Sequence, residues 1–200
     1  MNLIGVSQRV EYAIKYPETR DALDQRWITF LDECNFTPLL LPNNKKVAQK
    51  LIESFEIKGI LLTGGNNLIK YGGESKERDE VEIFLLNYAI DKKIPLMGVC
   101  RGMQLIQDSY GIKLVKVTGH VTDNLVITIN GIEKNVNSYH QYGTYETNIN
   151  LETWAIAEDG VIKAIKNNEA GIKAIMWHPE RQNPFNDEDL KLFKDFYKGA

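Results

Sequence analysis

The stretch Pro95-Leu96-Met97-Gly98-Val99-Cys100-Arg101-Gly102-Met103-Gln104-Leu105 decides how this chain is read. Its first half is a short continuous apolar run, the pattern of a strand buried on both faces, and it passes directly into a helix with a cysteine at the corner. Gly98 and Gly102 flank that corner. Residues without a side chain permit the tight strand-to-helix turn and close packing of a nucleophile elbow. A cysteine so placed stands at a helix N-terminus. There the unsatisfied backbone N–H groups favour thiolate and lower its pKa below the free value of about 8.5.

Outward from this corner, the preceding sequence alternates strand and helix signals. Apolar runs at Leu3 to Val6, Thr37 to Leu41, Gly59 to Leu62 and Pro95 to Val99 are separated by helical stripes. One stripe comprises Ala22, Leu23, Trp27, Phe30, Leu31 and Cys34, after a turn at Tyr16-Pro17-Glu18. A second comprises Val47, Ala48, Leu51, Ile52 and Phe55, and a third Val81, Phe84, Leu85, Tyr88 and Ala89. This alternation predicts a parallel sheet covered on both faces. The second half changes character. Leu125 to Ile129, Asn130-Gly131 and Ile132 to Val136 form a hairpin signal, because Asn-Gly accepts the positive φ of a type I′ turn. Thr153 to Ala157, Val161 to Lys166 and Ile172 to Trp177 read as an antiparallel meander, and Asn186 or Asp187 caps a last helix with Leu190, Phe193, Phe196 and Tyr197 inside. No repeat or linker interrupts the pattern, so residues 1–200 are expected to form one α/β domain.

Composition narrows the function. The chain has 200 residues, 43% of them hydrophobic and 26% charged, with 24 Lys+Arg against 27 Asp+Glu and no long run of one sign. That is enough chain for a core without disulfide or metal staples, and the balance disfavours nucleic-acid binding. No apolar run of membrane-spanning length and no leader pattern is seen, so a cytoplasmic location and no membrane partner are expected. The two cysteines, Cys34 and Cys100, lack C-x-x-C spacing and are expected to be free thiols. Cysteines and histidines lack zinc-ligand spacing, so no metal or other cofactor is expected; Asp187-Glu188-Asp189 reads as acidic residues meeting a helix dipole.

A thiolate nucleophile needs a base and a group to orient it, and Trp177-His178-Pro179-Glu180 ends the last expected strand. Pro179 biases His178 towards extended geometry, so side chains 178 and 180 point the same way and Glu180 selects one imidazole tautomer. After the third strand, Gly64-Gly65 offers backbone N–H groups that approach closely, and the N–H of Arg101 is a second donor for a tetrahedral oxyanion. Cys34, on an amphipathic stripe, reads as core filler, and His120 as loop or strand surface. His140 is assigned no more than pocket shaping. Arg9, Arg20 and Arg26 lie near the first strand-to-helix connection; they are solvated charges by default and, as a sharper alternative, a grip for an anionic ligand.

G-V-C-R-G-M-Q, W-H-P-E and the T-G-G loop, in this chain order, resemble the class I glutamine amidotransferase superfamily. The Arg after Cys100, the segment Glu77-Arg78-Asp79 and Asn137-Ser138-Tyr139-His140-Gln141 are similar to its γ-glutamyl hydrolase branch, such as γ-glutamyl-γ-aminobutyrate hydrolases. The resemblance spans most of the chain. It implies the flavodoxin-like amidotransferase sandwich, a mostly parallel central sheet with an antiparallel C-terminal addition. It implies Cys100, His178 and Glu180 as a triad, Gly65 with neighbouring Gly64 and Arg101 around the oxyanion, and Gln104 with the backbone at Gln141 and Tyr142 gripping the glutamyl head. The implied substrate is a small γ-glutamyl amide, cleaved through a γ-glutamyl thioester. The chain is shorter than the resemblance to γ-aminobutyrate-type hydrolases implies, and Gln141 stands where that branch carries a second histidine; both weaken the transfer of its leaving-group specificity, and a γ-glutamyl-γ-aminobutyrate-type hydrolase stays an alternative. Alternatives left open are a glutaminase component feeding ammonia to a synthase and a non-catalytic glutamyl binder. Homo-oligomerisation is equally open.

Overall fold

The computed structural model describes residues 2–198. Its strands are β1 (Leu3–Ser7), β2 (Arg9–Tyr12), β3 (Thr19–Ala22), β4 (Thr37–Leu41), β5 (Ile57–Leu62), β6 (Leu96–Val99), β7 (Val115–Lys116), β8 (Val121–Ile129), β9 (Ile132–Tyr139), β10 (Tyr142–Gly143), β11 (Glu152–Ala157), β12 (Ile162–Asn167) and β13 (Ile172–Ile175). The helices are α1 (Arg26–Glu33), α2 (Lys45–Ser54), α3 (Lys76–Lys92), α4 (Arg101–Ser109) and α5 (Asp187–Lys198). A nine-stranded sheet runs β4-β1-β5-β6-β13-β12-β11-β8-β9. Pairs from β4 to β13 are parallel, and those from β13 to β9 antiparallel. The expected mixed sheet is therefore the observed one, and β13 is its hinge, parallel to β6 on one side and antiparallel to β12 on the other.

Burial on both faces explains the unbroken apolar strands. Trp27, Phe30 and Leu31 of α1 and Phe193 and Tyr197 of α5 pack with Val6, Leu61 and Val99 on one face. Ala48 and Ile52 of α2, Val81 and Leu85 of α3 and Met103 and Ile106 of α4 pack with Ile60, Leu62 and Leu96 on the other. Successive residues such as Leu61 and Leu62 point to opposite faces, so both must be apolar. Gly102 explains how closely α4 lies on the sheet. A Cβ there would stand 2.3 Å from the Leu62 carbonyl oxygen, and one on Gly98 would stand 2.8 Å from the Gly102 carbonyl carbon. The Asn130-Gly131 turn has positive φ at both residues, as its sequence requires.

Three expectations need correction. Residues 9–22 hold the β2–β3 hairpin, and α1 starts at Arg26 rather than near Ala22. The hairpin is largely exposed, so no buried face imprints a period on its sequence. It is instead docked by Asn66, whose Nδ2 donates to the Val10 carbonyl (3.0 Å) and whose Oδ1 accepts from the Val10 N–H (2.9 Å). Phe55 leaves α2 in an extended conformation and is exposed, as is Val47. His120 is buried rather than on the surface. Among the described residues no helix is long and apolar enough to cross a membrane.

Candidate active site

From β1 the chain crosses to β4 at the sheet edge and then returns to β5 on the other side of β1. Open α/β sheets bind ligands at the carboxyl ends of strands beside such a reversal. Ser7 ends β1, Thr63-Gly64-Gly65 follow β5, Cys100 follows β6, and His178 lies just beyond β13. Residues distant in sequence are therefore brought to one rim by the parallel ladder alone.

Cys100 has φ 53° and ψ −103°, a conformation that costs a non-glycine residue on the order of 1–3 kcal/mol. Two bonds hold it there. Its N–H donates to the Ile175 carbonyl (2.8 Å), and its carbonyl accepts from the Gln104 N–H (3.1 Å). The His178 Nδ1–H donates to Glu180 Oε1 at 2.7 Å, which leaves Nε2 free to face the thiol. Burial pushes the Cys100 thiol up, but the neighbouring His178 outweighs it, so the thiol lies below its usual value. Burial likewise opposes charge on His178, yet Cys100 and Glu180 raise the imidazole to about 9. The arrangement favours a thiolate–imidazolium pair. Asn137 of β9 clamps the backbone beneath the ring: its Oδ1 accepts from the His178 N–H (2.7 Å) and its Nδ2 donates to the His178 carbonyl (2.8 Å).

The loop at 63–65 is oriented from behind by the fully buried Arg78 of α3. Its guanidinium donates to the carbonyls of Thr63 (2.9 Å), Gly64 (2.9 Å) and Gly65. In a planar trans peptide the following N–H points opposite to the carbonyl, so the Gly65 and Asn66 N–H groups are turned away from Arg78. Gly65 has φ +84°, open to glycine at no steric cost. Arg78 also donates through Nε to Glu82 Oε1 (3.0 Å), which accepts from Ser7 Oγ (2.7 Å). Arg101 donates to Glu82 and Asp79. The Arg101 side chain is thereby committed to a buried ion-pair network, and its backbone N–H stays at the first position of α4 beside Cys100. Burial opposes ionisation of Glu82, but Arg101 and Arg78 keep its carboxyl below the usual range.

A cavity of about 400 Å³ opens beside the thiol, lined by Gly65, Cys100, Arg101, Gln104, Tyr139 and Gln141 among others. Gln104 is anchored through Nε2, which donates to the Tyr142 carbonyl (2.8 Å). Tyr142 stands behind the wall, and the Gln141 carbonyl accepts from Val117 N–H (2.9 Å). Gly64 closes the thiol's other side. A Cβ there would lie 2.7 Å from His178 Cε1 and 3.5 Å from Cys100 Cβ.

Behind the cavity is a group that sequence patterning misses. Lys163 is 1% exposed, and its Nζ contacts Ser138 Oγ at 3.0 Å and His140 Nε2 at 2.6 Å. The His140 Nδ1 lies 2.9 Å from the Tyr142 carbonyl. A carbonyl only accepts, so Nδ1 carries the proton and Nε2 accepts from Lys163. Burial and the Lys163 charge push His140 down to about 3, and burial draws Lys163 down to about 7 against Cys100 and Asp159. His120 stacks on His140 and pairs with Asp159 (2.9 Å). His140, which lines the cavity, is thus held from behind by Lys163 and the Tyr142 carbonyl. Nothing in Ile162-Lys163-Ala164-Ile165 marks the lysine as buried; Arg78 and Glu82, four apart on one helix face, do carry a pairing signal.

The three arginines weighed for an anion are each engaged with a carboxylate: Arg9 with Glu11, Arg20 with Glu18 (2.8 Å through Nε) and Arg26 with Asp24 (2.6 Å). These pairs are largely exposed to solvent. Cys34 is buried in the core and its thiol is pushed up to about 12 by that burial.

Known proteins are similar to this chain in sequence and in architecture. The family description Peptidase C26 matches residues 2–123 and 112–180. A γ-glutamyl-CDP-amidate hydrolase of Campylobacter jejuni subsp. jejuni is 30% identical over 200 residues, which cover 97% of this chain and 96% of that one. A putative glutamine amidotransferase-like protein of Lactococcus lactis is 26% identical across 88% of each chain. Among solved structures, a putative GMP synthase component from Thermoplasma acidophilum superposes with a TM-score of 0.72 at 18% identity, covering 99% of this chain and 93% of that one. A glutamine amidotransferase from Thermotoga maritima gives 0.70 at 16% identity, with 99% and 84% covered. These likenesses establish the flavodoxin-like α/β fold of glutamine amidotransferase structures.

Proposed function

The chain belongs to the Peptidase C26 family, class I glutamine amidotransferase-like, and from that premise we propose that it is a cysteine hydrolase of γ-glutamyl amides. The observation that carries the reading is Cys100, held at φ 53° on a helix N-terminus with the free Nε2 of a Glu180-bound His178 facing it. The Cys100 thiolate attacks the γ-carbonyl carbon. The oxyanion that forms accepts from the backbone N–H groups of Gly65 and Arg101, each worth about 3 kcal/mol of barrier lowering. His178 delivers its Nε2 proton to the leaving nitrogen, the C–N bond breaks and a γ-glutamyl thioester remains. His178, now neutral, takes a proton from water as its oxygen attacks the thioester. The thiolate departs, and glutamate is released. Gln104 and Gln141 frame the amino-acid end of the substrate, with the Tyr142 carbonyl holding Gln104 from behind.

The substrate we favour is γ-glutamyl-CDP-amidate, split into glutamate and cytidine diphosphoramidate in the cytoplasm, a step of capsule phosphoramidate synthesis. The similarity to the Campylobacter enzyme along nearly all of both chains supports this choice. The test is glutamate release from γ-glutamyl-CDP-amidate by the wild type and by Cys100→Ala. Release that depends on Cys100 is expected. Equal release by both would overturn the reading.

A further inference from the structure

Hydrolysis of a γ-glutamyl amide leaves open which side chains receive the leaving group. We propose that Arg181, stacked on Tyr139, is the seat for a phosphate of the leaving group, and that the polar cleft these two residues share holds the nucleoside attached to it. The proposal rests on the hydrolase reading and adds a subsite to it.

The reaction chemistry fixes the side. His178 protonates the departing nitrogen, so the leaving group lies on the imidazole side of Cys100, away from the pocket of Gln104 and Gln141. Tyr139 lines both that pocket and a second cleft of about 370 Å³. Its ring centroid is 5.6 Å from that of His178. Tyr139 thus joins the imidazole side of the thiol to the second cleft.

Arg181 stands at this junction, three residues after His178. Its guanidinium carbon lies 4.7 Å from the Tyr139 ring centroid. Its nearest carboxylate oxygen is Glu180 Oε1, 3.5 Å from Nε, and that oxygen already accepts from His178 at 2.7 Å. No side-chain hydrogen bond from Arg181 is made among the described residues. Arg9, Arg20 and Arg26 each hold a closer carboxylate that is not shared with His178. Stacking on an aromatic face immobilises the plane and strips part of its water, which presents the guanidinium fork for bidentate recognition of a phosphate.

The cleft beyond has the character that a nucleoside requires. Asn124 and Asn135 line it with Asp123, Tyr139 and Arg181, and the two amides supply donors and acceptors for ribose hydroxyls and base edges. Asp123 accepts from the Tyr139 hydroxyl, which anchors the ring and keeps the carboxylate engaged. The volume lies in the range of small-molecule sites.

Two measurements test the subsite. Calorimetry follows CDP, CMP and cytidine binding to the wild type, Arg181→Met, Arg181→Lys and Tyr139→Leu, with melting curves to confirm folding. In parallel, kcat/KM is compared on γ-glutamyl-CDP-amidate and on the phosphate-free γ-glutamyl-p-nitroanilide. CDP is expected to bind the wild type more tightly than cytidine. Arg181→Met should weaken CDP roughly 30-fold or more, with partial recovery in Arg181→Lys. The same variant should lose more kcat/KM on the amidate than on the anilide. Equal losses on both compounds would reduce Arg181 to a support for Glu180 or for the thiolate's field, and overturn the proposal. So would a wild type that binds cytidine as well as CDP. If neither compound yields glutamate, the hydrolase reading falls, and the calorimetry alone decides the subsite.

Discussion

Gly64→Ala is the sharpest perturbation of the site, because a single methyl group would be driven against the His178 ring beside Cys100. The added carbon would stand 2.7 Å from His178 Cε1 and 3.5 Å from Cys100 Cβ. Ordinary van der Waals contact begins near 3.4 Å, so the ring or the loop must retreat by about 0.7 Å. Neither yields readily. His178 is tied through Nδ1 to Glu180 and through its backbone to Asn137, and the loop carbonyls are tied to Arg78. A shift approaching 1 Å in a reacting group costs on the order of 100-fold, and displacing an oxyanion donor costs a similar factor, so kcat/KM should fall roughly 100- to 1,000-fold. Overpacking should lower stability by about 1–3 kcal/mol, too little to unfold a chain of this size. Glutamate release and iodoacetamide labelling of Cys100 at pH 7 are the assays, and both should slow, because the thiolate loses its imidazolium partner. A variant with a native melting curve, wild-type labelling and wild-type turnover would refute the placement of Gly64 against His178.

The two cysteines should respond differently to pH. Cys100 lies below the usual thiol value and His178 is raised to about 9, so their ion pair persists between the two limits. It is lost on the acid side by protonation of sulfur and on the basic side as His178 gives up its proton. Turnover should therefore decline as pH rises through about 9. Iodoacetamide at pH 7, read by mass spectrometry, should label Cys100 in the folded chain and spare Cys34, which burial pushes up to about 12; equal labelling would count against this. Asn137→Ala deletes both bonds to the His178 backbone and should cost about 2–4 kcal/mol in denaturant unfolding, with a drop in turnover. An unchanged midpoint would show that the clamp is dispensable. Glu82→Gln leaves Arg78 and Arg101 facing each other with half their compensation, and should cost about 3–5 kcal/mol. A loss below about 1 kcal/mol would contradict the network. Lys163→Met frees the His140 tautomer from its donor, loosening Tyr142 and Gln104; KM should rise more than kcat falls, and a change in kcat alone would argue otherwise.

What the sequence by itself determined is what short-range physics controls. The unbroken apolar strands, the glycine-flanked corner at Cys100, the Asn130-Gly131 turn and the His178-Pro179-Glu180 spacing each depend on backbone sterics or side-chain period within a few residues. Pairing and burial between distant elements are decided only when the sheet closes. Arg78 meets the 63–65 loop because α3 packs beside β5, and Asn137 reaches His178 because β9 folds over the rim. Lys163 and His120 are buried by strands and loops far away in the chain, and the β2–β3 hairpin has no core face to leave a pattern. The arginines show the same division. The carboxylates beside Arg9, Arg20 and Arg26 stand two residues away in the sequence, whereas the aromatic face beside Arg181 comes from β9 and is supplied only by the fold.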